Sequence, residues 1–483
     1  MTRVLIFLLL WGWVVRGFAA EIVLIYPRVD SPGAIFAYDE GLDSTFVLGH
    51  VSPPKGELKI NGQSVDLSSE GAFLAWLPVQ RSPHPEEWRL SFRAADGDTA
   101  LLHFPYAFRS ISNSTDTSAP MLSPRVVQIA AAHAQVRTDF DGTYLAFPDS
   151  GCRLLATDHR RGSYQVRLGD GLRGVIEDQW VVLTPDSELP PALLSDGYCH
   201  GSSDSSECVL GLARTVPWCA EIVDKGQTLR VTLFDTKAAV NRIAYQVDDP
   251  LLREVTWSQC SEGVILRIGG KRAFGPGYGV TLAKDSLRIV VHDRGRRTKG
   301  VKGKRIVLDP GHGGSAWGAV GALGTREKDV VLRLAQLLEG ELKRHGADVR
   351  LTRSGDDDVG LYERTDIARQ DQADFLLSLH ANALPDDENP LQRHGSATYY
   401  YRQQSRPAAE IIHRHLLKAA GLRDDGLWYG NLALARPTEC PAVLVEAAYL
   451  IYPPEEELLR SDDFLRKLAK GLARGVREYF EIQ

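Results

Sequence analysis

The sequence predicts a multidomain protein: three N-terminal all-β modules followed by a C-terminal α/β domain, with a mostly parallel sheet flanked by helices. Three observations predict it. At 483 residues the chain is too long for one hydrophobic core, because domains hold about 100–200 residues each. Up to about residue 294 the apolar residues alternate in short runs separated by turn residues, the period of strands. After Arg305 short apolar runs alternate with stretches of helical spacing, as in a parallel sheet with crossover helices.

The N-terminus, 1–20, reads as a secretory signal peptide. A basic start at Arg3, an apolar run from Val4 to Val15 and the small residues of Gly17-Phe18-Ala19-Ala20 follow in the required order. The apolar run is shorter than the ~20 residues of a membrane span; an uncleaved anchor is the alternative. No later segment is long and apolar enough to span a bilayer, so the mature chain is expected to lack a stable membrane span and to reside in the periplasm or the extracellular envelope. The six cysteines contain no CxxC pair. In an exported chain they read either as disulfides, with Cys199 and Cys208 closing a polar Gly/Ser loop, or as free buried thiols.

Residues 21–108 read as a β-sandwich of Ig-like type. Asn61-Gly62 is a hairpin turn between 58–60 and 65–67, and Phe73, Trp76, Trp88 and Phe92 supply core aromatics. Residues 109–120 are polar and read as a linker. Strands at 142–145, 163–168 and 175–181 make 121–185 a second β module, similar to bacterial SH3-like domains. Alternation at 229–233 and 263–268 makes 206–294 a third. Its Gly277-Tyr278-Gly279-Val280 and Leu287-Arg288-Ile289-Val290-Val291 segments resemble the end of AMIN domains, which are wall-targeting modules. The basic stretch from Arg294 to Arg305 is either a solvated linker or a contact for anionic wall polymer.

In 304–481 the elements alternate. Residues 305–309 form a strand, 328–345 a helix stopped by Gly346, 348–352 a strand, 362–370 a helix and 374–379 a strand. A strand at 397–401, a helix at 407–420, a strand at 441–445 and helical segments over 455–480 follow.

Three segments of this domain carry chemistry. Asp309-Pro310-Gly311-His312-Gly313-Gly314 directly follows a strand, and its glycines permit a sharp turn that holds His312 at the mouth. Glu327 opens a helix, where the helix dipole favours a carboxylate. His380 ends another strand. In open α/β sheets ligands gather outside the carboxyl ends of strands, and two imidazoles with one carboxylate make a catalytic zinc shell with a position left for water. Glu446 emerges from the apolar run Val443-Leu444-Val445, where burial raises a carboxyl toward the range of a useful base. Taken singly, His312 or His380 reads equally as a structural residue and Glu327 as a cap.

Residues 304–481 resemble the zinc-dependent N-acetylmuramoyl-L-alanine amidases. The resemblance rests on ordered motifs: Asp309 to Gly314, Gly324 to Lys328, Leu361-Tyr362-Glu363-Arg364, Ala373-Asp374 through Ala383, and Pro441 to Glu446. It implies His312, Glu327 and His380 as ligands of one zinc ion per catalytic domain, and Glu446 as the catalytic glutamate. The implied substrate is peptidoglycan, cut at the amide between N-acetylmuramic acid and L-alanine. Two departures stand out. Trp317 occupies a stretch that differs in many relatives and is expected to reshape the pocket or to offer a stacking face for sugar. The 381–396 connection is short and contains Pro385 and Pro390, so the blocking helix of activator-controlled relatives is not expected.

The net charge of −6 weighs against a dedicated nucleic-acid binder. The competing readings are a wall-anchoring scaffold without activity and a zinc peptidase cutting elsewhere in the stem. The β modules are expected to target or space, with possible wall contacts.

Overall fold

Asn61 and Gly62 lie at φ 48° and 83° between the paired strands Gly56–Ile60 and Gln63–Val65. Positive φ at both turn residues matches the right-handed twist of the strands they join. In this computed structural model the described residues are 20–28, 34–82, 84–109, 123–202, 204–274, 277–292 and 299–482. The expected leader (apart from Ala20), nearly all of the 109–120 linker, and Arg294, Arg296 and Arg297 lie outside them.

Between Glu21 and Arg109 a three-stranded and a five-stranded sheet face each other. They enclose Tyr38, Phe73, Trp88, Phe92 and Tyr106. The buried Trp88 Nε1–H donates to the Tyr38 hydroxyl at 3.2 Å, as an indole N–H removed from water requires.

A seven-stranded sheet follows, from Arg125–Ile129 to Val181–Leu183. Residues 175–181 are not one strand. The strand Leu172–Glu177 ends in a 3₁₀ turn over Asp178–Trp180, because the run Glu177-Asp178-Gln179 has no apolar alternation to hold it in the sheet.

The next block begins earlier than its clearest sequence signals, at the strand Ala192–Gly201, which pairs with Ser205–Leu212. Cys199 and Cys208 are register partners in this hairpin and form a disulfide. Cys152, Cys219, Cys260 and Cys440 are free, and Cys152 and Cys440 are buried.

The C-terminal domain holds strands β1 (Arg305–Pro310), β2 (Asp348–Leu351), β3 (Phe375–Asn382), β4 (Ser396–Tyr400), β5 (Asp424–Tyr429) and β6 (Ala442–Tyr449). Their order is β2-β1-β3-β6-β4-β5. The first four in that order run parallel, while β4 is antiparallel to β6 and β5 parallel to β4. Helices α1 (Glu327–Arg344), α2 (Leu361–Gln370), α3 (Arg406–Ala420), α4 (Pro453–Leu459) and α5 (Asp462–Ile482) cover the sheet. Val331, Leu334, Leu338 and Leu342 of α1 are fully buried in the core, as their spacing requires. The core strands read as continuous apolar runs because both sheet faces are covered. Residues 383–395 contain no helix. Among the described residues no helix is long and apolar enough to cross a membrane.

The N-terminal sandwich is docked on this domain through a hydrophobic cluster of its own. Phe46, Leu48, Ala72 and Leu74 meet Ala322, Leu384, Tyr449 and Ile451. From the loop between β1 and α1, Ala322 and Leu323 take part in this cluster.

Candidate metal centre

β1 delivers Asp309 and Pro310 to the carboxyl edge of the sheet, and the chain then turns sharply through Gly311-His312-Gly313-Gly314. His312 is a non-glycine residue at φ 59°, a conformation that costs energy and needs outside support. That support comes from two buried arginines. The Arg364 guanidinium donates to the carbonyls of Pro310 (2.8 Å) and His312 (2.6 Å). Arg353 donates to the carbonyls of Pro310 (3.0 Å), Gly311 (2.9 Å) and Lys328 (2.8 Å). Asp309, 0% exposed, accepts from Arg364 (2.8 Å), Thr352 (2.6 Å) and Ser378 (2.7 Å). The carboxylate neutralises Arg364, and its oxygens stay satisfied in a place without water.

Glu327 stands in the first turn of α1 and is 4% exposed. Its Oε2 lies 3.2 Å from His312 Nε2, and its Oε1 lies 2.9 Å from His380 Nδ1. The amides of Ala319 and Ala381 donate to the same carboxylate at 2.8 and 3.1 Å. One ligand atom from each of His312, Glu327 and His380 falls within 4.8 Å of the other two. The two rings are 5.1 Å apart and nearly perpendicular.

Two glycines form the cradle. A Cβ on Gly311 would meet the His380 ring at 2.2 Å, and one on Gly318 would meet Glu327 Oε2 at 2.3 Å and the His312 ring at 2.7 Å. Burial works to raise the Glu327 carboxyl. Hydrogen bonding to His312 and then His380 outweighs it and holds the group well below the usual carboxylate range. Burial pulls His380 down, but the hydrogen bond to Glu327 and the charges of Glu446, Glu327 and Asp309 push it up to about 9. The Glu327 carboxylate thus lies between the two rings, with one oxygen facing each.

Glu446 lies in β6 directly across from His380 in the register with β3. Its Oε2 is buried and has no hydrogen-bond partner among the described residues. Burial pushes its carboxyl up to about 8, against the opposing charge of His380. The four residues singled out from the sequence are therefore gathered at one end of the sheet, three within ligand distance of one another and the fourth on the adjacent strand.

A family described as N-acetylmuramoyl-L-alanine amidase matches residues 306–478, which contain all four residues. N-acetylmuramoyl-L-alanine amidase AmiA of Escherichia coli (strain K12) is 33% identical over 250 residues, covering 42% of this chain and 86% of AmiA. The chain belongs to this family. AmiA of Salmonella typhimurium is also 33% identical, over 38% of this chain and 79% of its own length. Among solved structures, the catalytic domain of CwlV, the N-acetylmuramoyl-L-alanine amidase from Bacillus (Paenibacillus) polymyxa var. colistinus, is 37% identical. That match covers 37% of this chain and 99% of the CwlV domain, with a TM-score of 0.35. Its family membership makes the chain an amidase-type hydrolase, and the matched region lies in the C-terminal domain.

The residues that local sequence reading missed are the ones that brace the site. Arg353 and Thr352 follow the end of β2, and Ser378 lies within β3 inside a recognised motif; only the tertiary fold reveals that the three are buried against Asp309 or the turn that follows it. Arg364 lay inside a recognised motif, but nothing in its spacing says that it holds the His312 carbonyl. For Trp317, the Arg326 guanidinium rests 3.9 Å from the ring centroid, so that part of the ring is already engaged.

Proposed function

We propose that the protein is a zinc-dependent N-acetylmuramoyl-L-alanine amidase that hydrolyses the amide between N-acetylmuramic acid and L-alanine in peptidoglycan. The observation that carries this reading is the His312–Glu327–His380 cluster with Glu446 on the neighbouring strand. The donor set fits zinc: two nitrogens and one oxygen, with no thiolate. Ligands about 2.0–2.2 Å from one tetrahedral ion stand about 3.3–3.6 Å from each other; His312 Nε2 lies 3.2 Å from Glu327 Oε2 and His380 Nδ1 lies 2.9 Å from Glu327 Oε1, and one ligand atom from each residue falls within 4.8 Å of the other two. When bound, zinc supplies a Lewis acid that polarises the scissile carbonyl and acidifies water.

The chain's own residues do the rest. Glu446 accepts a proton from the attacking water at its unpartnered Oε2 as the water oxygen bonds to the carbonyl carbon. The same oxygen returns the proton to the leaving nitrogen as the C–N bond breaks. The products are a muramic acid carboxylate and a stem peptide with a free L-alanine amine. Arg353 and Arg364 keep the His312 turn in place, and Ala319 and Ala381 fix the Glu327 carboxylate.

We also infer that the amidase works outside the cytoplasm, in the periplasm or extracellular envelope. The Cys199–Cys208 disulfide belongs to oxidising compartments, and the leader-like residues 1–20 agree with it. We propose further that the blocks 21–108, 121–185 and 206–294, the last preceded by its paired strand Ala192–Gly201, are Ig-like, SH3-like and AMIN-like modules that target or space the catalytic domain.

The test is digestion of purified wall, with metal analysis of the same protein. Released stems bearing amino-terminal L-alanine, from a protein holding one zinc, support the reading. Stems cut at another bond would make the protein a peptidase, and an intact wall would make it a scaffold.

A further inference from the structure

The loop between the two metal-holding segments carries an arrangement that the metal chemistry does not use. Trp317 lies between His312 and Glu327 in the chain. Its carbonyl accepts from the Lys328 amide at 3.1 Å, and the next residue, Gly318, packs on both ligands. The Arg326 guanidinium stacks on the Trp317 ring at 3.9 Å from the centroid. A second guanidinium, that of Arg28, reaches the same ring at 5.3 Å from the N-terminal sandwich. Among the described residues neither arginine has a carboxylate within ion-pair distance, whereas Arg364, one of the two arginines that brace the site, is paired with Asp309.

Two like charges drawn to one indole repel each other. The ring offsets this by only about 0.5–1 kcal/mol per contact at an exposed site. An anion held between the two guanidinium groups would offset that repulsion. Arg28 is exposed, yet it is presented by a docked element. Tyr26, two residues earlier, donates its hydroxyl to Asp386 and packs with Ile25 against the shared cluster.

The chemistry of the substrate says which anion fits. On the amidase reading, on which this inference rests, the carboxyl of N-acetylmuramic acid is consumed in the scissile amide. The sugar beside the bond is therefore uncharged, and negative charge there lies on the free carboxylates of the stem peptide. A planar guanidinium matches a carboxylate geometrically as well as electrically. We propose that Arg28 and Arg326, gathered on Trp317, bind a free carboxylate of the stem peptide, so that the N-terminal sandwich contributes a residue to the substrate site of the catalytic domain.

The experiment compares soluble muramyl peptides whose stem carboxylates are free or amidated, using the full-length protein, Arg28→Ala and Arg326→Gln. The expected result is a KM about tenfold higher for Arg28→Ala on the free acid, from loss of a charge-assisted hydrogen bond, with kcat falling much less and zinc content kept. Amidating the stem should raise the KM of the unaltered protein by a similar factor and abolish the difference between it and the variants. An unchanged KM on the free acid, or a KM ratio that persists on the amidated stem, would overturn the proposal. If neither substrate yields a stem starting with L-alanine, the amidase reading fails instead. Calorimetric affinity for the uncleaved free acid then decides the carboxylate site, with weaker binding by Arg28→Ala expected and equal binding contradicting it.

Discussion

At the scale of single residues the account turns on what each buried charge has for a partner. Glu446 has a sealed, unpartnered oxygen, which suits a group that takes up and returns a proton. Glu446→Gln keeps the shape and removes that capacity. Turnover on wall is expected to fall by about 10²–10⁴-fold with zinc retained, as digestion assays and metal analysis would measure. Asp309 is the opposite case, a carboxylate with every oxygen satisfied. Asp309→Ala leaves Arg364 buried without its counter-charge and is expected to cost about 3–5 kcal/mol, read as an earlier denaturant transition of the catalytic domain. An unchanged midpoint would mean that the pair does not hold the turn. His312, Glu327 and His380 stood out in the sequence from a glycine-rich turn after a strand, a helix start and an apolar strand, while their roles as ligands came from the ordered motifs of the family resemblance. Arg353 and Thr352 did not stand out, because an arginine or threonine after a strand looks the same whether it faces solvent or a row of buried carbonyls.

At the scale of elements, the site depends on a loop without repeating structure, running from β1 to α1. Gly318 lies at φ 71° where any side chain would strike Glu327 and His312. Gly318→Ala is expected to leave the sheet intact and to weaken metal affinity by about 10–100-fold, the range seen when ligand-supporting contacts are lost. Competition with a chelator would measure it, and unaltered affinity would show that the cradle is not needed. The long helices and the core strands of this domain were readable from periodicity, since burial on a known face imposes a local pattern. β5 was not: its Asp424-Asp425-Gly426 start carries no apolar alternation, and it lies at the sheet edge against one neighbour. The strand Ala192–Gly201 was missed for a related reason. Its Cys199 and the following glycine and serines read as a loop, although the disulfide partner lies directly across the hairpin.

At the scale of the whole molecule, the first β module and the catalytic domain share a core. Strands Ser44–Ser52 and Ala72–Pro78 are buried on both faces. Val47, Phe73 and Ala75 point into the sandwich, while Phe46, Leu48 and Leu74 point at the catalytic domain. The apolar run Ala72-Phe73-Leu74-Ala75-Trp76-Leu77 shows this in the sequence, although alternation alone did not say what lay on the second face. Leu48→Asp is expected to separate one coupled calorimetric transition into two, because a charge cannot stay buried in that contact. Unsplit melting would mean that the modules are only tethered. For the intact chain, the most direct test is zinc stoichiometry, measured before and after His380→Ala. The account predicts one zinc per chain in the unaltered protein, and loss of both metal and wall hydrolysis in the variant. Full hydrolysis by metal-free protein, or a zinc content unmoved by the substitution, would contradict it.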